Sequence, residues 1–337
     1  MTDPARVPRI LVTGGSGFIG SRLALLAGQH GHAPTVVTAV NNATERARCD
    51  ELVKSGVTVV EAALEDTDAL SRALVGHDAV IHLAAAQHEA GRPESYFQQI
   101  NVEGTRRLLD LAARAGVRRF VHGSTIGVYG SAADRVLDER SPLLPDNAYG
   151  RTKAAAESVV RACHANLEYC IVRISETYGP GDMRLLKLFR GVRSGRYLTV
   201  GDGENEHQLI YVDDLVRGLL AACEAPAAGG ATIVLAGAER LTTNAMVAAI
   251  GAAVGSQRPV RHAPLWPFLA LAYVMERTFA PLGLQPPLHR RRLDFFRKSF
   301  RFSTAAAEQL LGFRAETRFA DGAGRTADWY RSRGLLA

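Results

Sequence analysis

Residues 10–20 read Ile-Leu-Val-Thr-Gly-Gly-Ser-Gly-Phe-Ile-Gly, an apolar run that closes on glycines at 14, 17 and 20. The run from Arg9 to Thr13 predicts a strand, and the amphipathic stretch from Phe18 to Gly28 predicts a helix. Gly14, Gly17 and Gly20 make the turn between them. Glycine lets such a turn close tightly and lets the backbone approach a ligand. The helix that follows offers unpaired N–H groups and a positive dipole end to a pyrophosphate. A plain strand-to-helix turn needs the same glycines, so the motif is weak on its own. No Gly-Lys-Ser/Thr follows, which disfavours a mononucleotide phosphate loop.

Working outward, the alternation continues. Residues 35–40, 57–62, 78–85, 118–125 and 169–176 read as strands. Stretches at 67–75, 101–116 and 148–165 have helical spacing of apolar positions. Strands alternating with helices predict an α/β fold, a doubly wound parallel sheet covered on both faces. After residue 176 the pattern loosens. Residues 213–225 and 231–237 supply one more helix and strand, while 177–211 and 238–337 are irregular and proline-rich. The expected division is 1–176 plus 212–237 as the nucleotide-binding domain, with 177–211 plus 238–337 as a smaller, irregular substrate lobe.

The composition is that of an ordinary globular protein: 337 residues, 47% apolar and 22% charged. Collagen, coiled coil and a disulfide-stapled scaffold are excluded. Cys49, Cys163, Cys170 and Cys223 show no metal-ligand spacing, so no metal is expected, and a reducing cytoplasm suits them. No leader or membrane-spanning run is evident. Residues 1–176 hold 19 Lys+Arg and 20 Asp+Glu, a net of −1. Residues 177–337 hold 21 and 14, a net of +7, so the whole excess of +6 lies in the second half. No nucleic-acid motif accompanies that charge.

Two further patterns carry chemistry. Tyr149 and Lys153 stand four apart on a predicted helix, which puts both on one face. A phenol of pKa ~10 is no base near neutrality. A cation ~4 Å away at an effective dielectric of ~20 lowers it by about three units. A solvated surface pair is the plain alternative. Ser124 and Thr125 end the predicted strand 118–125, where ligands sit in a doubly wound sheet. A hydroxyl there can hydrogen-bond an oxygen that is being oxidised or reduced.

Together these stretches resemble the short-chain dehydrogenase/reductase superfamily, specifically its extended NAD-dependent epimerase/dehydratase branch with a Rossmann sheet. Further matches are HLAA (82–85), NVEGT (101–105), VYG (128–130), YGPGD (178–182), VGDG (200–203) and YVDDLV (211–216). The resemblance implies Thr125, Tyr149 and Lys153 as the catalytic trio. It implies cofactor contacts from Gly14, Gly17, Phe18, Ile19, Gly20, Leu64 and Ala84, with Asn101 supporting Lys153. NAD or NADP is the implied cofactor. Strand two ends at Thr38, Ala39, Val40 and Asn41 without the acid that NAD-preferring members carry there, and Arg46 or Arg48 is available to a 2′-phosphate. Gln87, His88, Glu176 and His207 are candidate substrate-pocket residues.

The sequence departs from the family where substrate is chosen. His207 stands where nucleotide-sugar enzymes carry an arginine for the diphosphate. Ile126 and Gly127 stand where sugar 4,6-dehydratases carry an Asp-Glu pair. Residues 284–313 and 328–336 instead resemble the 3β-hydroxysteroid dehydrogenase-like group. The uncharged run Ala263–Met275 precedes a basic segment and reads as a buried cap helix or as a surface that touches a membrane peripherally. The expected function is hydride transfer between a nicotinamide and a secondary alcohol or ketone. The alternatives are a sugar epimerase with tightly held NAD and a non-catalytic nucleotide sensor. A small-molecule substrate and, by family habit, a homodimer complete the expectations.

Overall fold

The computed structural model describes residues 7–87, 92–130, 132, 135–163, 166–256, 258–279, 287–288 and 293–336. Seven strands make the central sheet: β1 Ile10–Thr13, β2 Thr35–Thr38, β3 Thr58–Glu61, β4 Ala79–His82, β5 Arg119–Thr125, β6 Glu168–Ile174 and β7 Ala231–Leu235. Their order across the sheet is β7-β6-β5-β4-β1-β2-β3, and every pairing is parallel. The chain reverses its winding between β1 and β4, which opens a crevice at the strands' carboxyl ends.

Helices α1 Phe18–Gln29, α2 Ala43–Lys54, α3 Thr67–Leu74, α4 Gly104–Arg114 and α5 Ala148–Arg161 make the crossovers. One wide helical turn, Gln99–Glu103, leads into α4 and carries Asn101. Both sheet faces are buried, and alternate residues of one strand enter different cores. Ile10, Val12, Val36, Ile81 and Val121 pack on one face. Their neighbours Leu11, Val37, Val80 and Phe120 pack on the other.

The second half of the chain is more regular than its sequence suggests. It holds α6 Leu186–Ser194, α7 Val212–Glu224, α8 Thr243–Val254, α9 Leu265–Phe279 and α10 Phe319–Ser332. Of these, α8 is apolar nearly all round and shows no clean amphipathic stripe, whereas α10 buries Phe319, Gly322, Ala323, Thr326, Ala327 and Tyr330 at helical spacing. Packing supplies what the pattern lacks: Phe189, Met246, Ile250, Phe319 and Tyr330 share one core.

A buried ion pair locks α5 to the sheet. Arg173 on β6 gives Glu157 two bonds, Nε at 3.0 Å and a terminal nitrogen at 2.9 Å. Ser124 on β5 donates to the same carboxylate at 2.6 Å, and Arg161 adds a bond at 2.8 Å. Burial pushes the Glu157 carboxyl up, but the bonds from Arg173, Ser124 and Arg161 outweigh it and hold it below the usual range. Removing one partner of such a pair leaves an uncompensated buried charge. Arg173→Met is therefore expected to lower stability by about 3–5 kcal/mol, measured by urea unfolding. A loss under ~1 kcal/mol, the size of a surface pair, would contradict the lock.

Candidate active site

A cleft of about 920 Å³ opens over the carboxyl ends of β1, β4 and β5. Gly14, Gly17, Phe18, Ile19 and Gly20 line one end, with Leu64 and Ala84 beside them. Gly14 has φ +73°, and a Cβ there would stand 2.7 Å from the Ala84 nitrogen, so β1 and β4 approach only because the residue is glycine. The N-terminus of α1 has no capping side chain and no acid in its first turn, which leaves its positive end for an anion.

Thr125 and Tyr149 face the middle of the same cleft. Thr125 ends β5, and its Oγ1 accepts the Gly127 N–H at 3.0 Å, so its own proton remains free to donate. Asn147 caps α5 by accepting from the Gly150 N–H at 3.0 Å. Gly150 then lets α5 lie against the Ile126–Tyr129 turn, since a Cβ would come 2.7 Å from the Gly127 carbonyl oxygen. That approach sets the start of α5, with the Tyr149 phenol, on the same cleft as Thr125.

Burial pushes the Tyr149 phenol up to about 12, against the opposing pull of Thr125 and the positive charge of Arg184. Lys153 and Asn101 lie behind the cleft, each almost wholly buried. The sequence reading has Lys153 depressing the phenol, but in this structure its ammonium donates to His122 Nε2 at 3.2 Å. Burial lowers Lys153 to about 8, with Glu157 opposing. Asn101 is expected to support Lys153 through the backbone or a water, and its side chain has other partners. Its amide clamps the Ala86 backbone and donates to Thr152 Oγ1 at 3.0 Å.

His122 was not foreseen, although strand alternation places it on the face of β5 that also carries Ser124. Its ring stands 5.5 Å from that of His82. Thr105 gives its hydroxyl proton to the Asn101 carbonyl, so it accepts from His82 Nε2–H at 3.0 Å. His82 Nδ1 then accepts from Thr13 at 2.7 Å. Burial and the Lys153 charge push His82 down to about 3 and His122 well below the ordinary value, so both rings are neutral at pH 7.

Gln87, Glu176 and His207 line the far end of the cleft, whereas His88 lies outside the described residues. His207 is buried and stacks on Phe295 with centroids 4.5 Å apart. Asn205 and Thr243 hold its ring at 3.1 and 3.0 Å. Burial lowers its pKa against the nearby Glu176, so it presents a neutral face. Two cations at this end are already neutralised. Arg184 pairs with Asp182 at 2.9 Å and Lys298 with Asp294 at 2.8 Å. Sequence reasoning missed both, because their segments have no regular period. Arg48 lines the glycine end, bound to the Ser16 and Gly181 carbonyls. Ile126 and Gly127 line the cleft after Thr125, so no carboxylate stands at either position. Among the described residues no His, Cys, Asp and Glu cluster suits a metal ion.

Comparison with known proteins places this geometry. The sequence model of the NAD dependent epimerase/dehydratase family matches residues 10–237. The crystal structure of DesIV, a dTDP-glucose 4,6-dehydratase from Streptomyces venezuelae with NAD bound, is 31% identical. It superposes with a TM-score of 0.76 over 98% of this chain and 100% of that one. A 2-alkyl-3-oxoalkanoate reductase from Stenotrophomonas maltophilia is 33% identical over 84% of this chain and 87% of its own. A 3beta-hydroxysteroid-dehydrogenase/decarboxylase of Arabidopsis thaliana is 27% identical over 94% and 78%.

The contact between α5 and the Ile126–Tyr129 turn is testable by itself. Gly150→Ala is expected to cost about 1–3 kcal/mol through overpacking, read by urea unfolding. A neutral substitution would mean that α5 does not need this approach.

Proposed function

The chain belongs to the NAD-dependent epimerase/dehydratase family of extended short-chain dehydrogenases/reductases, and within it we propose a net oxidoreductase acting on a secondary alcohol or ketone that carries no diphosphate. The observation behind this reading is that Thr125 and Tyr149 face one cleft whose far end offers neutral His207 and self-paired Arg184 and Lys298. A nucleotide-sugar epimerase or dehydratase must hold two phosphate charges. A stacked, neutral imidazole is a poor substitute for a bidentate guanidinium.

The glycine end suits a dinucleotide: Gly14 permits the close backbone approach, and the uncapped α1 faces the anion. Gly14, Gly17, Phe18, Ile19 and Gly20 would hold the pyrophosphate of NAD or NADP, with Leu64 and Ala84 along it. The bound nicotinamide supplies the hydride acceptor or donor. Thr125 orients the substrate oxygen by donating its free hydroxyl proton. Tyr149 takes the alcohol proton during oxidation and returns one to the carbonyl oxygen during reduction. Lys153 and Asn101 stay behind the cleft, where Lys153 carries the buried charge nearest the two histidines. We place this chemistry in the reducing cytoplasm, in keeping with the buried thiols of Cys49, Cys170 and Cys223.

Tyr149→Phe is expected to lower turnover by about 10²–10⁴-fold, the range for a lost general acid–base, with cofactor affinity almost unchanged. A variant of near wild-type rate would sink the assignment. The phenol is protonated at neutrality and its base form grows roughly tenfold per pH unit. Alcohol oxidation in the wild type is therefore expected to rise with pH through the alkaline range, and a flat profile would remove Tyr149 from the role. Protein denatured after purification should release little dinucleotide, and the folded protein should bind NADH or NADPH reversibly. Stoichiometric release of NAD would favour a recycling epimerase instead.

A further inference from the structure

Helix α9, Leu265–Phe279, is apolar on both faces but covered on only one. Leu265, Phe268, Leu269 and Ala272 pack against Val200, Leu293 and Phe296. The opposite stripe is exposed: Trp266 is 72% exposed, Leu271 48%, Tyr273 46% and Val274 55%. Trp266, Ala270, Tyr273 and Val274 fall at i, i+4, i+7 and i+8 and form one continuous strip, with Leu271 at i+5 on its edge. A helix without polar cover is normally buried, and a contiguous apolar patch of this kind marks an interaction surface.

The flanks indicate what covers it. Exposed Arg261 precedes the helix and exposed Arg277 ends it, with its guanidinium 5.5 Å over the Tyr273 ring. Residues 290–292, outside the described residues, are three consecutive arginines, and residues 177–337 carry the net +7 derived above. Nearby acids are fewer. Asp202 and Glu204 border a small hollow beside Leu265, and Glu276 is half-buried. No helix among the described residues is long and apolar enough to cross a membrane. An exposed tryptophan and tyrosine, two aliphatic side chains and bordering arginines are the composition of a helix that lies in a lipid interface. A second copy of this face would bring arginines toward their own mates across a two-fold axis, which opposes self-association.

We propose that α9 docks the protein on an anionic lipid surface, with Trp266, Leu271, Tyr273 and Val274 inserted at headgroup depth and Arg261 and Arg277 on the phosphates. The covered face of α9, opposite the docked one, lies toward the active-site cleft. Leu293 and Phe296 under α9 flank Asp294 and Phe295, which line the cleft's far end. The docking does not depend on the reaction proposed above, and its test reads binding alone.

The full-length protein is sedimented with phosphatidylcholine vesicles and with vesicles containing about one third phosphatidylglycerol. Binding is expected at least ~10-fold tighter to the anionic vesicles and weakened by added salt. Trp266 and Trp329 are the two tryptophans, so the blue shift in emission on binding is expected to vanish in Trp266→Phe while sedimentation persists. Leu271→Glu is expected to weaken vesicle binding at least ~10-fold and to leave NAD(P) affinity, a check on folding, unchanged. No sedimentation, equal binding to both vesicles, or binding indifferent to Leu271→Glu overturns the proposal. So does a dimer in solution that Leu271→Glu dissociates, since a second copy would then cover the face.

Discussion

The contact on which the site most depends is the ion pair between Arg173 and Glu157. It joins β6 to α5, and through Ser124 it reaches the end of β5. Taking both charges out of water is costly, and the cost is offset only because every oxygen of the carboxylate is bonded. The return is positional. With α5 tied to the sheet at Glu157, the helix start carrying Tyr149 is set against Thr125, and Gly150 permits the final approach.

Burial then sets the chemistry of the two groups on that helix face. It raises the phenol of Tyr149 to about 12 and lowers the ammonium of Lys153 to about 8, so each is driven toward its neutral form. Neutral His122 is a hydrogen-bond acceptor for Lys153 but brings no counter-charge. His122 Nδ1 is buried with no hydrogen-bond partner among the described residues, so the contact with Lys153 leaves half of the ring unsatisfied.

Much of the fold was legible because its signals are local. The strands and crossover helices of the first 176 residues follow from periods of two and 3.6, and from glycines whose backbone role is fixed by sterics. Thr125 and Tyr149 were legible for the same reason, one ending a strand and the other opening a helix. In the second half α7 and α9 were legible too, but α8 was not, because a helix apolar nearly all round depends on packing rather than pattern. The expected contact of Lys153 with the phenol also failed. Helical spacing places two side chains on one face but does not choose their rotamers, and a buried ammonium takes the nearest acceptor.

The amino-acid sequence thus determined the sheet, its glycine turn and the identity of the hydroxyl, phenol and amine that gather near it. Those features arise from residues close together in the chain, where backbone sterics and side-chain period leave few choices. It also placed a histidine, rather than an arginine, at position 207. Folding decided that this imidazole is neutral, stacked on Phe295 and walled by cations that already have partners, because burial and pairing are set by residues up to 90 positions apart. Folding likewise decided which half of α9 is covered. Its two faces are equally apolar as sequence, and only the packing of Val200 and Leu293 against one of them leaves the other to the solvent.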